Sequence, residues 1–128
     1  MSGWGVIPSI RVADLQGAIA FYVERLGFTA EGDTTQLNVS LVRGDARLMV
    51  ETTADFYSAE YDAAIRERLG SSSPNALYME AGDLEELHRA LQDTDTPIVD
   101  PLADRPWGQV EFTVEDPAGN WLTFWAKR

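Results

Sequence analysis

A chain of 128 residues has room for one domain, or for two small repeats fused into one, and its 45% apolar content is enough for a buried core. The absence of cysteine excludes disulfides and thiol chemistry and is compatible with a reducing cytoplasm. A formal net charge of −11 argues against a nucleic-acid partner, since phosphate binding needs clustered Lys and Arg. That charge suits a cationic ligand, and equally a well-solvated surface.

In chain order, residues 5–12 read as a strand. Pro8 removes one ladder donor, which places that strand at an edge or in an exchanged arm. Asp14 is positioned to cap a helix whose apolar stripe is Leu15, Ile19, Tyr22 and Leu26, with Gly27 as its stop. Strands are expected near 28–31, 36–43 and 47–52, the last two joined by a turn at Gly44-Asp45. Between 53 and 74, Tyr57, Tyr61 and Ile65 lie at helical spacing, and Gly70-Ser71-Ser72-Ser73-Pro74 breaks the pattern. This stretch reads as a short amphipathic helix and a linker, with a lid as the alternative.

A second round starts at Asn75. Residues 75–81 are strand-like, and Asp83 caps a helix with Glu86 three residues on, as in a capping box. Leu84, Leu87 and Leu91 form its stripe, and strands near 97–99, 109–114 and 121–127 follow. Both rounds run strand, helix, three strands, and Val12-Ala13-Asp14-Leu15 echoes Ala81-Gly82-Asp83-Leu84. The division expected is a module over about 1–52, a connection over 53–74, and a module over about 75–128. No run of 18 apolar residues and no basic-then-apolar leader is present, so neither a membrane span nor a signal peptide is expected, and a cytoplasmic location is.

Strand side chains alternate between faces. One face collects Ile10, Val12, Leu48, Val50, Leu77, Met79, Val110, Phe112, Val114, Leu122 and Phe124, and must pack under the helices. The other carries Ile7, Ser9 and Arg11, Met49 and Glu51, Tyr78 and Glu80, Gln109, Glu111 and Thr113, and Trp121, Thr123 and Trp125. Aromatics, acids and hydroxyls together suggest a concave, partly wet ligand cavity. An oligomer interface over the same aromatics is the alternative reading.

The chemistry open to this chain is narrow. It has one histidine, His88, so a site with two histidines and a carboxylate cannot form within one chain, and no metal or other cofactor is expected. His88 sits on the second helix and reads as an ordinary surface histidine. No nucleophile elbow, phosphate loop or dinucleotide fingerprint is present. Glu51, Glu80 and Glu111 could share a cavity and do acid–base work, or pair with a cation. Trp107, held between Pro106 and Gly108, is placed to stack on a flat ligand.

Val12-Ala13-Asp14-Leu15, Ala20-Phe21-Tyr22, Leu26-Gly27-Phe28, Gly82-Asp83-Leu84-Glu85-Glu86-Leu87, Pro106-Trp107-Gly108 and Asp116-Pro117-Ala118-Gly119-Asn120 span nearly the whole chain. Together they resemble the glyoxalase, bleomycin-resistance and dioxygenase (vicinal oxygen chelate) superfamily, and most of all its bleomycin-resistance branch. The resemblance implies an α+β fold of two βαβββ modules in a U-shaped mixed sheet. It also implies a homodimer with an exchanged N-terminal strand, and ligand grooves at the dimer interface. Metal-dependent members carry ligands at places held here by Ile7, Ala76 (or its neighbour) and Thr123, leaving only Glu51 as a candidate. Carried over by position, Trp107 matches a stacking tryptophan, Tyr78 a second aromatic, and Glu31 an acid. Leu37 stands where an aromatic is expected, and Val110 replaces a frequent arginine. With Gln109, Glu111 and Trp121 from the mixed face, these are the candidate ligand-binding residues. The function implied is metal-independent sequestration of a planar, cationic antibiotic of the bleomycin type, giving resistance without modifying the drug. A glyoxalase-like lyase or isomerase using a groove carboxylate, and a scaffolding member that binds another protein, are the alternatives.

Overall fold

The computed structural model describes residues 7–52, 58–61, 63–64, 67 and 75–128. The chain divides into two compact units, Met1–Ser73 and Pro74–Arg128. Each holds a βαβββ module with its own four-stranded mixed sheet, so the fold is α+β.

In the first module β1 (Ser9–Val12) leads into α1 (Leu15–Ala20). Asp14 caps this helix, its Oδ1 accepting from the Gly17 N–H at 3.0 Å. A Cβ on residue 17 would lie 2.2 Å from the other Asp14 oxygen, so glycine keeps the cap closed. The helix then widens into a π turn over Phe21–Arg25, with the Leu26 N–H bonding back to the Phe21 carbonyl. Gly27 follows at φ +77°, a left-handed stop that only glycine takes without strain. The expected stripe turns inward: Ile19, Tyr22 and Leu26 are buried, and Tyr22 meets Phe21 and Phe28 edge-on.

β2 (Thr29–Glu31), β3 (Asn38–Arg43) and β4 (Ala46–Thr52) complete the sheet in the order β1-β4-β3-β2. The Gly44-Asp45 turn joins β3 to β4 as expected. β1 is an edge strand, parallel to the chain's own β4, and the Pro8 carbonyl accepts from the Met49 N–H. Strand residues 5 and 6, and Tyr57, Ile65 and the 70–74 breaker, lie outside the described residues. Residues 59–61 and 63–64 are helical.

Ahead of β3, Asp33 organises a short turn. Its Oδ1 accepts from the Thr35 backbone N–H and hydroxyl, and its Oδ2 from the Gln36 amide. The Thr35 hydroxyl and N–H hold the Asp33 carboxyl below its ordinary value of 3.8. A depressed carboxyl stabilises the fold above its unfolded pKa, and that contribution is lost as pH falls through the lower folded value. In a carbon-detected NMR titration Asp33 should therefore titrate below 3.8, and Thr35→Val should move it back up. An unshifted midpoint in the parent protein would contradict this.

The second module repeats the order with β5 (Ala76–Glu80), α2 (Leu84–Gln92), β6 (Ile98–Arg105), β7 (Gln109–Glu115) and β8 (Trp121–Lys127), arranged β5-β8-β7-β6. β8 is parallel to β5 and antiparallel to β7. Leu84, Leu87 and Leu91 are buried, as their spacing requires. Asp83 is the N-cap residue, but its side chain makes no capping bond, so the expected capping box does not close. β6 reaches Arg105, well past the expected 97–99, and absorbs Pro101 through two register shifts.

The apolar face is buried nearly throughout: Ile10, Val12, Leu48, Val50, Met79, Val110, Phe112, Val114, Leu122 and Phe124 all belong to the core. Leu77, on edge strand β5, is half-buried. α1 packs on β4 within the first module and α2 on β8 within the second. Among the described residues no helix is long and apolar enough to cross a membrane.

Candidate ligand-binding site

The mixed face of the second module is ordered by its register. β8 runs between β5 and β7, and each β8 residue of this face has one neighbour on each side. Trp121 lies between Ala76 and Glu115, Thr123 between Tyr78 and Thr113, and Trp125 between Glu80 and Glu111. Gln109 pairs with Lys127 and, on its other side, with Arg105.

Aromatic exposure is concentrated here. Tyr78 is 67% exposed, Trp107 61% and Trp121 40%, high values for rings that could otherwise be buried. Trp107 sits in the β6–β7 turn, closed by the Gly108 N–H on the Arg105 carbonyl and by Gly108 at φ +83°. The Arg128 N–H bonds the Gly108 carbonyl, tying the turn to the end of β8. Trp121 is oriented by its indole N–H, which donates to Glu115 at 3.1 Å.

Buried polar groups lie among these rings. The Thr113 and Thr123 hydroxyls bond each other at 2.7 Å. Glu111 is 5% exposed, and its Oε1 is 3.4 Å from the Arg105 Nε. Arg105 also pairs with Asp100, so two carboxylates share one guanidinium.

The candidates on this module do not converge on one point. Trp107, Gln109 and Glu111 gather at the start of β7. Trp121 lies at its far end, opposite Glu115, about 20 Å away at some 3.3 Å per residue. Tyr78 stands between them on the edge strand. One flat ring can therefore stack on Trp107 or on Trp121, not on both.

On the first module, Glu31 shares the face of Ser40 and Met49 and is ion-paired with Arg47. Leu37 is exposed just ahead of β3, its carbonyl accepting from the Thr52 N–H. Glu51 is buried between Arg11 and Asn38 in the register, with the Arg11 Nε 4.0 Å from its Oε2. Arg11 also donates two bonds to the Thr52 carbonyl, and its guanidinium lies over the Tyr61 ring. An open groove between α1 and β2, lined by Ile19, Val23, Phe28 and Ala30, contains none of the candidate side chains.

Two features escaped sequence reasoning. Trp125 was placed on the mixed face but not among the binding residues, although the register sets it between two acids. His88 is half-buried and meets Phe112 edge-on at 5.0 Å, so it belongs to the helix–sheet packing and not to the outer surface.

Residues 6–124 match the model of the Glyoxalase/Bleomycin resistance protein/Dioxygenase superfamily. The chain belongs to this superfamily. No curated protein sequence is significantly similar to it. Among solved structures of the superfamily, it is similar to the bleomycin-binding protein of bleomycin-producing Streptomyces verticillus in complex with copper(II)-bleomycin. The two are 27% identical, with 97% of this chain and 96% of that one covered and a TM-score of 0.68. TioX of Micromonospora sp. ML1 superposes at a TM-score of 0.75 and 21% identity, over 94% of this chain and 93% of its own. A superfamily protein of Alicyclobacillus acidocaldarius gives 0.67 and 20%, over 99% and 95%.

The superfamily's metal-ligand places do not suit a metal in this member. Ile7, Ala76 and Thr123 supply no carboxylate or imidazole; the Thr123 hydroxyl is bonded to Thr113, and Glu51 lies against Arg11. Among the described residues no group of three or more His, Asp or Glu could hold a metal ion.

Proposed function

We propose that this superfamily member binds a planar, cationic, antibiotic-type molecule and sequesters it without chemical change, working as a homodimer. The observation that carries the reading is the second module's mixed face, where exposed Trp107 lies at the same end of β7 as the buried Glu111 carboxylate and exposed Tyr78 and Trp121 follow farther along the same face. Rings offered to solvent bind flat apolar groups, and an adjacent acid favours a cation. The 27% identity to a protein crystallised with copper(II)-bleomycin supports a ligand of that general kind. Glu51 and Glu111, two candidates for a catalytic base, face Arg11 and Arg105, which weighs against the enzymatic reading.

Titration with copper(II)-bleomycin and a panel of planar cationic antibiotics, followed by tryptophan fluorescence, tests this. Quenching by at least one compound is expected, with its chemical form unchanged on recovery. Trp107→Ala should weaken that binding by about 1–2 kcal/mol, roughly five- to thirtyfold. No quenching across the panel, or a converted compound, would overturn the reading. Light scattering after size-exclusion chromatography should report a dimer.

A further inference from the structure

We propose that the row Glu80–Trp125–Glu111 on the second module seats an organic cation bearing N–H groups, a protonated amine or amidine. This deepens the binding reading above and rests on it. Trp125 is flanked in register by Glu80 on β5 and Glu111 on β7, and all three side chains leave the same face. Neighbouring strands are about 4.8 Å apart, so the backbones that carry Glu80 and Glu111 lie about 10 Å apart, one on each side of Trp125. A cation held over the ring gains from its quadrupole and from both acids.

Glu111 shows which kind of cation. Its side chain is buried, yet Oε2 has no hydrogen-bond partner among the described residues, while Oε1 faces Arg105. A buried carboxylate oxygen without a donor is costly, and a donor supplied by a ligand removes that cost. Charge points the same way. Arg105 is shared between Asp100 and Glu111, leaving one negative charge over; exposed Glu80 adds another, and Lys127, two residues along β8 on the same face, offsets one of the two. A quaternary ammonium would answer the charge but not Oε2. A protonated amine answers both.

The test uses nitrogen-labelled protein and the indole N–H signals of its four tryptophans. The probes are 2-(2-naphthyl)ethylamine, its trimethylammonium counterpart, which has the charge but no N–H, and its neutral N-acetyl counterpart. Trp125→Phe assigns the Trp125 signal. The amine should shift that signal and bind about tenfold or more tighter than either counterpart, as expected for one charge-assisted hydrogen bond. Glu111→Gln keeps the shape and leaves Arg105 on Asp100; it should weaken the amine about tenfold and abolish its advantage over the trimethyl form. Glu80→Gln, on an exposed side chain, should weaken the amine at least about threefold, and it carries the test if Glu111→Gln does not fold. Equal binding of amine and trimethyl form, or unchanged amine affinity in the Glu111 variant (in the Glu80 variant if the former does not fold), overturns the proposal. Shifts confined to Trp107 or Trp121 would overturn it while leaving the stacking reading intact. If copper(II)-bleomycin and the antibiotic panel also fail to quench, the stacking reading falls as well.

Discussion

Replacing Phe112 with alanine is expected to destabilise the protein by about 3–5 kcal/mol, the usual cost of emptying a buried aromatic site. Phe112 is fully buried on β7, with Phe124 5.7 Å from its ring centroid and His88 at 5.0 Å from the α2 side. The removed ring leaves a hole that β8 and α2 cannot both collapse into. Urea denaturation followed by far-UV circular dichroism should show a lower midpoint with little change in slope. A loss below about 1.5 kcal/mol would mean that the site repacks. Binding should suffer too, because Phe112 sits between Glu111 and Thr113, and its packing holds the strand that displays them.

Asp116→Ala should cost about 2–4 kcal/mol, since it strips several bonds from one buried carboxylate. Oδ1 accepts from the Ala118 and Asn120 N–H groups at 2.9 and 2.8 Å, and Oδ2 from the Asn120 side chain at 3.0 Å. Asn120 in turn accepts from the Asn75 N–H and side-chain amide, and the Trp121 N–H bonds the Asn75 carbonyl. The network thus aligns the starts of β5 and β8. Asp116→Asn keeps an acceptor for the two N–H groups but sets two amide donors against each other, so it should fall between parent and alanine variant. Denaturation midpoints of the three proteins check the order. An asparagine variant as weak as the alanine one would mean that the lost charge and the donor clash together cancel the two retained bonds.

Much of this architecture is legible in the residues. Leu15, Ile19, Tyr22 and Leu26 mark the first helix because a buried stripe must recur at its period, and Asp14 and Gly27 bound it. The π turn within it is invisible to that pattern, because one widened turn barely displaces the stripe. The extent of β6 was hidden for a related reason. It is an edge strand whose register shifts and Pro101 disrupt alternation, and only the pairing of Ala103 with Glu111 and Arg105 with Gln109 reveals it. Asp83 looks like a capping-box residue, yet its side chain does not cap, because a sequence pattern states an opportunity and not a geometry. The site was readable as a face but not as a set of neighbours. Alternation put Glu111 and Trp121 on one face, the Pro106-Trp107-Gly108 turn set Trp107 at its entrance, and register then separated the two tryptophans to opposite ends of β7. Which oxygen of Glu111 is satisfied depends on the reach of Arg105, which no spacing rule encodes.

Each sheet closes by laying its last strand parallel to its first. In the first module Ser9 meets Met49 across about 40 residues of chain, and in the second Ala76 meets Trp121 across about 45. Such closures are long-range, so each module should form late and in one step, with its helix and hairpins waiting on the final strand. On the ribosome the first module can close while the second is still being made. The second must wait for Trp121–Lys127, an inner strand of its sheet, to clear the exit tunnel. Until then β5 and β7 present bare edges to other nascent chains. A folded domain joined directly after Arg128 would delay or crowd that insertion, and a flexible spacer there should raise the yield of folded protein.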